Sequence, residues 1–323
     1  MFSSNRHGSC LNLETSNLKL LLAGHGYLGR EIARVFRRAG WDVCALSRTA
    51  AEHPPHGCGA PPSSDNDAPC GVLTEISCDL GEPSEVAALT RSAPRPDFII
   101  HCASSSRGGP DEYRRVFLAG CRNLTNTFPG VPLLFTSSTS VYAQTDGSPV
   151  DEQSPADPDR ETGRLLLETE RLVLDHHGII VRLAGIYGPG RSVILEKFLA
   201  GRALIEDDGQ RFLNQIHRDD AARAIHHLVS RGDNRSAAEM DAVNFHSSLF
   251  NLADSRPLTQ LECYTALAEI FARPLPPRGP RDPGRKRGWT HKQVSNAKLR
   301  ATGWEPRFPC FLDAVPIIAP TIG

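Results

Sequence analysis

The fold of this chain is decided by residues 18–48, which read LKLLLAGHGYLGREIARVFRRAGWDVCALSR. An apolar run leads into a turn with three spaced glycines, and an amphipathic segment and a second apolar run follow. This order predicts a strand, a glycine-rich turn, a helix and a second strand, the βαβ unit that binds the pyrophosphate of a dinucleotide. The free N–H groups at the helix N-terminus would hold the phosphates. The predicted cofactor contacts in this turn are Gly24, His25, Gly26, Tyr27, Leu28 and Gly29.

The end of the second strand favours one dinucleotide over another. Units that bind NAD carry an Asp or Glu there, which accepts hydrogen bonds from the ribose 2′-OH. This chain has Ser47 and Arg48 instead. A guanidinium can pair with a 2′-phosphate through two hydrogen bonds, and a hydroxyl can add a third contact. The position therefore predicts NADP, with NAD as the alternative if Arg48 is only a solvated loop residue.

Predicted strands and helices alternate beyond this unit. The strands are Val72–Cys78, Phe98–Ala103, Leu133–Ser137 and Ile179–Leu183, and the helices between them are Glu82–Arg91, Asp111–Thr127 and Arg160–His176. This alternation predicts an α/β fold with a Rossmann-type doubly wound parallel sheet. Ligands of such sheets bind beyond the carboxyl ends of the strands. The residues that follow the strands are small, polar or glycine, as a loop pressed against a cofactor requires.

The pattern divides the chain into three parts. Residues 1–17 are polar and predict a flexible N-terminal segment, and residues 18–190 form the predicted NAD(P)-binding domain. A stretch rich in Pro, Gly, Ser and Asp at 52–71 predicts a mobile surface insertion in this domain. From 191 to 323 the elements become shorter, so we expect a smaller, mixed α/β substrate lobe. The helices predicted in this lobe are Asp219–Val229 and Gln260–Ala272.

The charge and the cysteine content give no support to several classes of function. The chain has 323 residues and a formal net charge of −1, which gives no support for binding to nucleic acid or to an anionic membrane. A basic cluster at 278–288 is interpreted as a solvated loop, with a phosphate or partner contact as the alternative. The nine cysteines include no C-x-x-C pair, which predicts reduced thiols and no metal site.

Targeting signals are also missing from the pattern. No stretch approaches the roughly 18 apolar residues of a membrane-spanning helix, and the N-terminus lacks the apolar core of a signal peptide. We therefore expect a cytoplasmic protein whose partner is a small-molecule substrate, and a homodimer is left open.

Five motifs together carry a family resemblance. They are the glycine turn at 24–29, Asp79-Leu80, FTSSTSVY at 135–142, RLAGIYGPGR at 182–191 and IHRDD at 216–220. In this order they resemble the extended short-chain dehydrogenase/reductases of the NAD-dependent epimerase/dehydratase type, over residues 18–310. Residues 294–304 look like those of an atypical bacterial branch. The resemblance implies an oxidoreductase or epimerase/dehydratase that acts on a small polar carbonyl or sugar-type substrate.

The resemblance also implies roles for residues that follow the strands. The residues that it adds to the cofactor site are Asp79, Leu80, Ala103, Ser104 and Leu183. Asp79 would bond the adenine amino group, and Leu80 would pack beside the adenine ring. Ala103 and Ser104 would line the cofactor ribose. Ser138 matches the catalytic Ser/Thr of the family, whose hydroxyl bonds a substrate oxygen.

One part of the family's machinery is missing. The proton in this family is exchanged by a Tyr-x-x-x-Lys pair on the helix that follows the catalytic serine. The two positions fall here on Thr162 and Leu166, and the predicted helix Arg160–His176 contains no Tyr or Lys. A threonine hydroxyl is too weakly acidic for this task. The chain is therefore either an NADP-dependent enzyme with another proton source or a catalytically silent NADP(H)-binding sensor or structural protein.

Three further residues have open roles. Tyr187 can replace the missing tyrosine or pack its ring under the turn that follows it. His217 precedes a helix opened by Asp219 and Asp220, whose charges suit a helix N-terminus. We expect His217 to point into the cleft, as a polar wall or as a proton donor. Arg191 can be a loop contact or an anchor for an anionic substrate.

Overall fold

The computed structural model describes residues 17–48, 70–106, 108–230, 248–281 and 289–322. The expected flexible N-terminal segment and the expected insertion at 52–71 lie almost entirely outside the described residues. Most of the basic cluster at 278–288 lies outside them as well.

The fold is built on a sheet of seven parallel strands. In chain order these strands are β1 (Lys19–Ala23), β2 (Asp42–Ser47), β3 (Leu73–Ser77), β4 (Phe98–His101), β5 (Leu133–Ser138), β6 (Ile179–Leu183) and β7 (Ser248–Leu252). In space they follow the order β7-β6-β5-β4-β1-β2-β3. The chain runs from β1 towards one edge and then from β4 towards the other, so β1 and β4 form the switch point. The predicted doubly wound Rossmann-type sheet is confirmed.

Helices and short strand pairs surround this sheet. The helices are α1 (Tyr27–Arg38), α2 (Pro83–Ser92), α3 (Pro110–Tyr113), α4 (Gly120–Thr127), α5 (Glu161–Asp175), α6 (Val193–Leu199), α7 (Arg218–Ser230), α8 (Gln260–Ile270), α9 (Ala297–Arg300) and α10 (Phe311–Ile318). The short pairs are Pro149–Val150 with Gln293–Val294, Gly185–Tyr187 with Gln215–His217, Ile205–Glu206 with Arg278–Gly279, and Phe212–Leu213 with Leu258–Thr259. Single-turn 3₁₀ helices cover Thr139–Val141 and Ala319–Thr321.

The sequence explains why the first unit folds as it does. The strand β1 is apolar at successive positions because both faces of a parallel sheet are covered. In α1 the residues Ile32, Ala33 and Phe36 share the buried face, as their helical spacing predicts. The helix ends where Gly40 adopts a φ of +86°, a conformation that glycine tolerates best.

Two clusters of buried apolar side chains hold the molecule together. The first surrounds the sheet, and it also takes in α7 and β7, which come from the C-terminal part of the chain. The second is smaller and lies among α6, α8 and α10, which form the smaller lobe. The strand β7 was not predicted from the sequence. How the chain divides into separately folding domains, with a boundary at residue 190, stays a prediction.

The helical segment that follows β4 changes its winding. Between α3 and α4, residues Arg114–Ala119 form a π-helix, a wider turn than the α-helix. Nε2 of the buried His101 donates a hydrogen bond to the carbonyl oxygen of Val116 in this stretch, at 2.9 Å. Burial lowers the pKa of His101 to about 4, so the ring stays neutral in the folded protein at neutral pH. The widened turn is therefore anchored directly to the end of β4.

Two further properties concern the described ranges alone. No helix within them has both the length and the apolar character that a bilayer crossing requires. Their His, Cys, Asp and Glu side chains form no group of three that could hold a metal ion. The thiols of six cysteines within these ranges are free, those of Cys44, Cys78, Cys102, Cys121, Cys263 and Cys310.

Candidate functional site

A cavity of about 740 Å³ opens at the carboxyl ends of the strands, at the switch point between β1 and β4. The residues predicted for the cofactor and for catalysis all line it. They are Gly24, His25, Gly26, Tyr27, Leu28, Gly29, Ser47, Arg48, Asp79, Leu80, Ala103, Ser104, Ser138 and Leu183. Four of the five sequence motifs, which are dispersed along the chain, therefore contribute residues to this one cavity.

The glycine turn presents free backbone N–H groups to this cavity. Its start is fixed because the N–H groups of Gly24 and His25 donate to the carbonyl of Leu46, at 3.0 and 3.2 Å. No described side chain caps the N-terminus of α1 at Gly26. The first hydrogen bond of the helix runs from the Arg30 N–H to the carbonyl oxygen of Gly26, at 2.9 Å. The N–H groups of the first turn of α1 are thus available to an anion.

The packing around the turn fits a dinucleotide pyrophosphate. A Cβ atom at Gly24, where φ is +112°, would overlap the backbone of Ala103. A Cβ atom at Gly29 would overlap the carbonyl oxygen of Gly24. At Gly26, in contrast, a Cβ atom would meet nothing within 4 Å and would extend into open space. Glycine is therefore needed at two positions for packing, and at the third it leaves a cradle open for a ligand.

Positive charge lies beside this cradle. The Tyr27 hydroxyl donates to the carbonyl of Pro189 at 3.1 Å. The guanidinium groups of Arg191 and Arg218 each lie 5.1 Å from the centre of the Tyr27 ring, within the range of a cation–π contact. Arg191 also lines the cavity. Its position next to the phosphate turn suits contact with an anionic group.

The opposite end of the cavity holds a chain of ion pairs. Nη1 of Arg48 lies 2.9 Å from Oε1 of Glu112 on α3, and Nη2 of Arg115 lies 2.8 Å from the same oxygen. Arg115 also pairs with Asp79. The carboxylate expected to bond adenine is thus held by a guanidinium and by the Gly81 N–H at 2.9 Å.

Two carboxylates at this end of the cavity keep their charge. Burial raises the pKa of Asp79, but hydrogen bonds from Arg115 and from the Gly81 N–H outweigh it and hold the pKa below its usual range. The hydrogen bonds from Arg115 lower the pKa of Glu112. The roles of Glu112 and Arg115 were missed at the sequence level because they lie far along the chain from their partners.

Ser138 lies at the end of β5, directly opposite Leu183 on β6. Its Oγ accepts a hydrogen bond from the N–H of Ser140 at 3.2 Å. The hydroxyl proton of Ser138 is therefore free to point into the cavity. The neighbouring Ser137 instead donates to Glu170 at 2.5 Å, and Glu170 forms a buried ion pair with Arg182. Of the two adjacent serines, Ser138 is the one with a hydroxyl free for a ligand.

A second cavity, of about 830 Å³, adjoins the first one. Its walls include Ser140, the start of α5 with Thr162, and Trp289. Two residues, Tyr113 and Leu166, line both cavities. Thr162 and Leu166, the two positions on which the resemblance places the family's tyrosine and lysine, therefore both line the second cavity. Neither side chain can exchange a proton at neutral pH.

Two expected candidates for proton transfer lie elsewhere. The expectation that His217 points into the cleft is wrong: the short strand Gln215–His217 pairs with Gly185–Tyr187 and places its ring between Tyr187 and Phe308. His217 is 1% exposed and lines neither cavity. The Tyr187 hydroxyl donates to the buried Asp254 at 3.2 Å, and burial raises the pKa of Tyr187. Its ring is packed away from the cleft.

Comparison with known proteins assigns the family. A model of the NAD-dependent epimerase/dehydratase family matches residues 20–243. The chain belongs to this family. No curated protein matches the sequence.

Several solved structures share the fold over nearly the whole chain. A protein from Methylobacillus flagellatus assigned as an NAD-dependent epimerase/dehydratase is 25% identical, with a TM-score of 0.70, 94% of this chain covered and 98% of that one. UDP-glucose 4-epimerase from Thermus thermophilus, solved with NAD, is 20% identical (TM-score 0.71, coverage 94% and 98%). MoeE5 with UDP-glucose and NAD is 20% identical (TM-score 0.71, coverage 94% and 97%). This member of the epimerase/dehydratase family therefore spans nearly the full length of these relatives.

Proposed function

We propose that the protein is an NADP-dependent oxidoreductase of the epimerase/dehydratase type, acting on a small polar carbonyl or sugar-type substrate. The observation that carries the proposal is the single cavity at the switch point, where the glycine turn, Arg48 and Ser138 lie along one continuous wall. A bound nicotinamide cofactor would supply a hydride at the end of this wall that is nearer to Ser138.

Different residues of the cavity would contact different parts of the cofactor and the substrate. The N–H groups of the first turn of α1 hold the pyrophosphate, with Arg191 as a nearby cation. Arg48 meets the 2′-phosphate that distinguishes NADP from NAD. Leu80 would pack beside the adenine ring, and the carboxylate of Asp79 would accept a hydrogen bond from the adenine amino group. The Ser138 hydroxyl bonds the oxygen of the substrate.

The second cavity supports the substrate class. It adjoins the cofactor cavity and is lined by polar groups such as Ser140, Thr145 and Asp159, together with the ring of Trp289. Hydroxyl groups of a sugar-type substrate would find donors and acceptors there. Two of the similar structures bear the names of proteins that bind or convert a UDP-sugar. A substrate of this polarity is therefore the first one to test.

A second candidate function is a catalytically silent NADP(H)-binding protein. The specific observation in its favour is that residues 160–176 contain no tyrosine and no lysine, with Thr162 and Leu166 at the two positions that the resemblance implies for the family's pair. Both functions require the same cofactor cavity. They differ in whether a hydride is transferred.

Cofactor binding and turnover, measured on the same preparation, test the proposal. NADPH binding is followed by fluorescence transfer, and turnover by loss of NADPH absorbance across a panel of aldehydes, ketones and nucleotide sugars. The proposal expects binding together with turnover that is lost in Ser138→Ala and kept in Ser92→Ala, a matched change on α2. Binding without turnover on any substrate would favour the silent protein. No binding at all would contradict both functions.

A further inference from the structure

The residue that best fits the vacant role in proton transfer is Tyr113. It lies at the end of α3 and lines both cavities. Among the described lining residues, only Leu166 also lines both. Leu166 occupies the position of the family's lysine. A phenol at this junction borders the cofactor cavity on one side and the second cavity on the other. A proton donor to the reacting oxygen would have to lie at such a junction.

The other four tyrosines of the chain are excluded by their contacts. Tyr142 is fully buried and donates to an asparagine side chain at 2.9 Å. Tyr187 donates to a buried carboxyl group, and Tyr264 belongs to the second buried cluster. Tyr27 lies in the glycine turn, and its hydroxyl donates a hydrogen bond to a backbone carbonyl. Of the five tyrosines, Tyr113 alone lines the second cavity.

The surroundings of Tyr113 hold the ring while leaving its hydroxyl open. The ring packs edge-on against Phe117, with centroids 5.0 Å apart, and Phe117 packs in turn on Phe135 of β5. The π-helix that begins at the next residue is anchored by His101. Within the described part of the chain, the Tyr113 hydroxyl has no hydrogen-bond partner. Its ring is thus fixed, and its proton is available to a ligand.

We propose that the Tyr113 hydroxyl donates the proton to the carbonyl oxygen of the substrate when the carbonyl is reduced. This inference rests on the proposed function. A bound reduced nicotinamide would supply the hydride to the carbonyl carbon, and the π-electron pair of the carbonyl would move onto its oxygen. The O–H bond of Tyr113 breaks and protonates that oxygen, giving the alcohol. The Tyr113 phenolate then recovers a proton from water.

Ser138 and Tyr113 approach the oxygen from different elements. Ser138 comes from the end of β5 and Tyr113 from the helical wall that follows β4. The serine hydroxyl orients and polarises the oxygen, while the phenol, the stronger acid, gives up its proton. Neither cavity has a lysine among its described lining residues. The arrangement therefore replaces the family's pair on α5 with a single phenol on α3.

The first test compares two variants that each remove one phenolic hydroxyl. Tyr113→Phe is expected to lower kcat/KM for carbonyl reduction by at least about 100-fold, the usual contribution of a general acid. The Kd for NADPH should stay within about twofold, because the phenol acts at the substrate oxygen. The matched variant Tyr264→Phe, in the second buried cluster, should keep both kcat/KM and Kd. Turnover in Tyr113→Phe equal to that of the native protein would overturn the proposal and leave the proposed function standing.

The second test needs no turnover. Protein labelled with fluorotyrosine has five fluorine resonances, one for each tyrosine, and the Tyr113 signal is the one absent from Tyr113→Phe. Replacing bound NADPH by NADP⁺ changes the charge of the nicotinamide ring, so the Tyr113 resonance should shift while that of Tyr264 stays in place. A Tyr113 resonance whose chemical shift is the same with NADPH and with NADP⁺ would overturn the proposal. If the native protein turns over no carbonyl, the oxidoreductase function fails, and this resonance still decides whether Tyr113 lies at the nicotinamide.

Discussion

The guanidinium of Arg48 and the carboxylate of Glu112 meet across one end of the cofactor cavity, with Nη1 and Oε1 2.9 Å apart. Glu112 also binds Arg115, which holds Asp79. Two cations and two carboxylates therefore balance each other where the adenosine is expected. A 2′-phosphate at this end of the cavity would have to compete with Glu112 for Arg48, so we expect this pair to set how strongly the site favours NADP over NAD.

Opposite effects on NADPH affinity are expected when the two partners are changed. Arg48→Ala should weaken NADPH binding by about 10- to 100-fold, the worth of charge-assisted hydrogen bonds to a phosphate. Glu112→Gln should strengthen NADPH binding by up to about fivefold, because the substitution releases Arg48 for the 2′-phosphate. The gain is small because an exposed ion pair contributes little free energy. NADH binding should change little in either variant. Fluorescence titration measures all four affinities, and equal effects on NADPH and NADH would refute the role of Arg48.

The glycines of the turn are expected to respond differently to the same change. Gly26→Ala should leave the free energy of unfolding nearly unchanged, because its Cβ extends into open space and its φ of −89° suits alanine. It should still weaken NADPH binding by at least about tenfold, because the methyl group occupies the phosphate cradle. Gly29→Ala should cost about 1–3 kcal/mol of stability, because its Cβ overlaps the Gly24 carbonyl. Urea unfolding and NADPH titration compare the two. Loss of stability in Gly26→Ala would contradict the assignment.

Stability at acid pH should depend on His101. Burial lowers the pKa of His101 from 6.5 to about 4, so between these values the unfolded chain binds a proton that the folded protein does not. The contribution of His101 to the free energy of unfolding is fully present above pH 6.5. It falls by about 3 kcal/mol as the pH drops towards 4. His101→Gln keeps a donor for Val116 but does not titrate, so its stability should fall less steeply. Urea unfolding at several pH values checks this, and parallel slopes would rule it out.

Restoring the family's residues should not help the protein. Thr162→Tyr with Leu166→Lys places two long side chains in the second cavity, beside Tyr113. We expect kcat/KM for carbonyl reduction to fall by at least about tenfold, because the substrate is displaced and Tyr113 already supplies the proton. Leu166→Met, a change of similar volume, serves as the control. A gain of activity in the double variant would mean that the native protein lacks a proton donor.

The sequence predicted most of the sheet because the signals are local. Ile179–Leu183 was predicted with its observed bounds, and the helix after Ser138 was predicted to within one residue at each end. The strand Ser248–Leu252 was missed, because it follows a polar stretch and its place beside β6 depends on contacts distant in sequence. The glycine turn and residues that follow several strands line one cavity, since strand ends in a parallel sheet meet at one edge. Their roles in binding a cofactor stay predictions.

The remaining site residues could not be predicted from local patterns. Glu112, Tyr113 and Arg115 lie on a helix whose π-turn departs from the 3.6-residue period, so periodicity does not say which side chains face the cavity. His217 was expected in the cleft because it precedes a helix. Its strand instead pairs with Gly185–Tyr187, and that pairing turns the ring inward.

The most direct test of the account is the crystal structure of the protein with NADPH bound. The account predicts the pyrophosphate on the N–H groups of the first turn of α1, the 2′-phosphate at Arg48, and the nicotinamide ring bordered by Ser138 and Tyr113. Either hydroxyl should lie within hydrogen-bonding reach of an oxygen placed next to the reactive carbon of the ring. A dinucleotide bound outside this cavity, or a nicotinamide ring remote from both hydroxyls, would contradict the account.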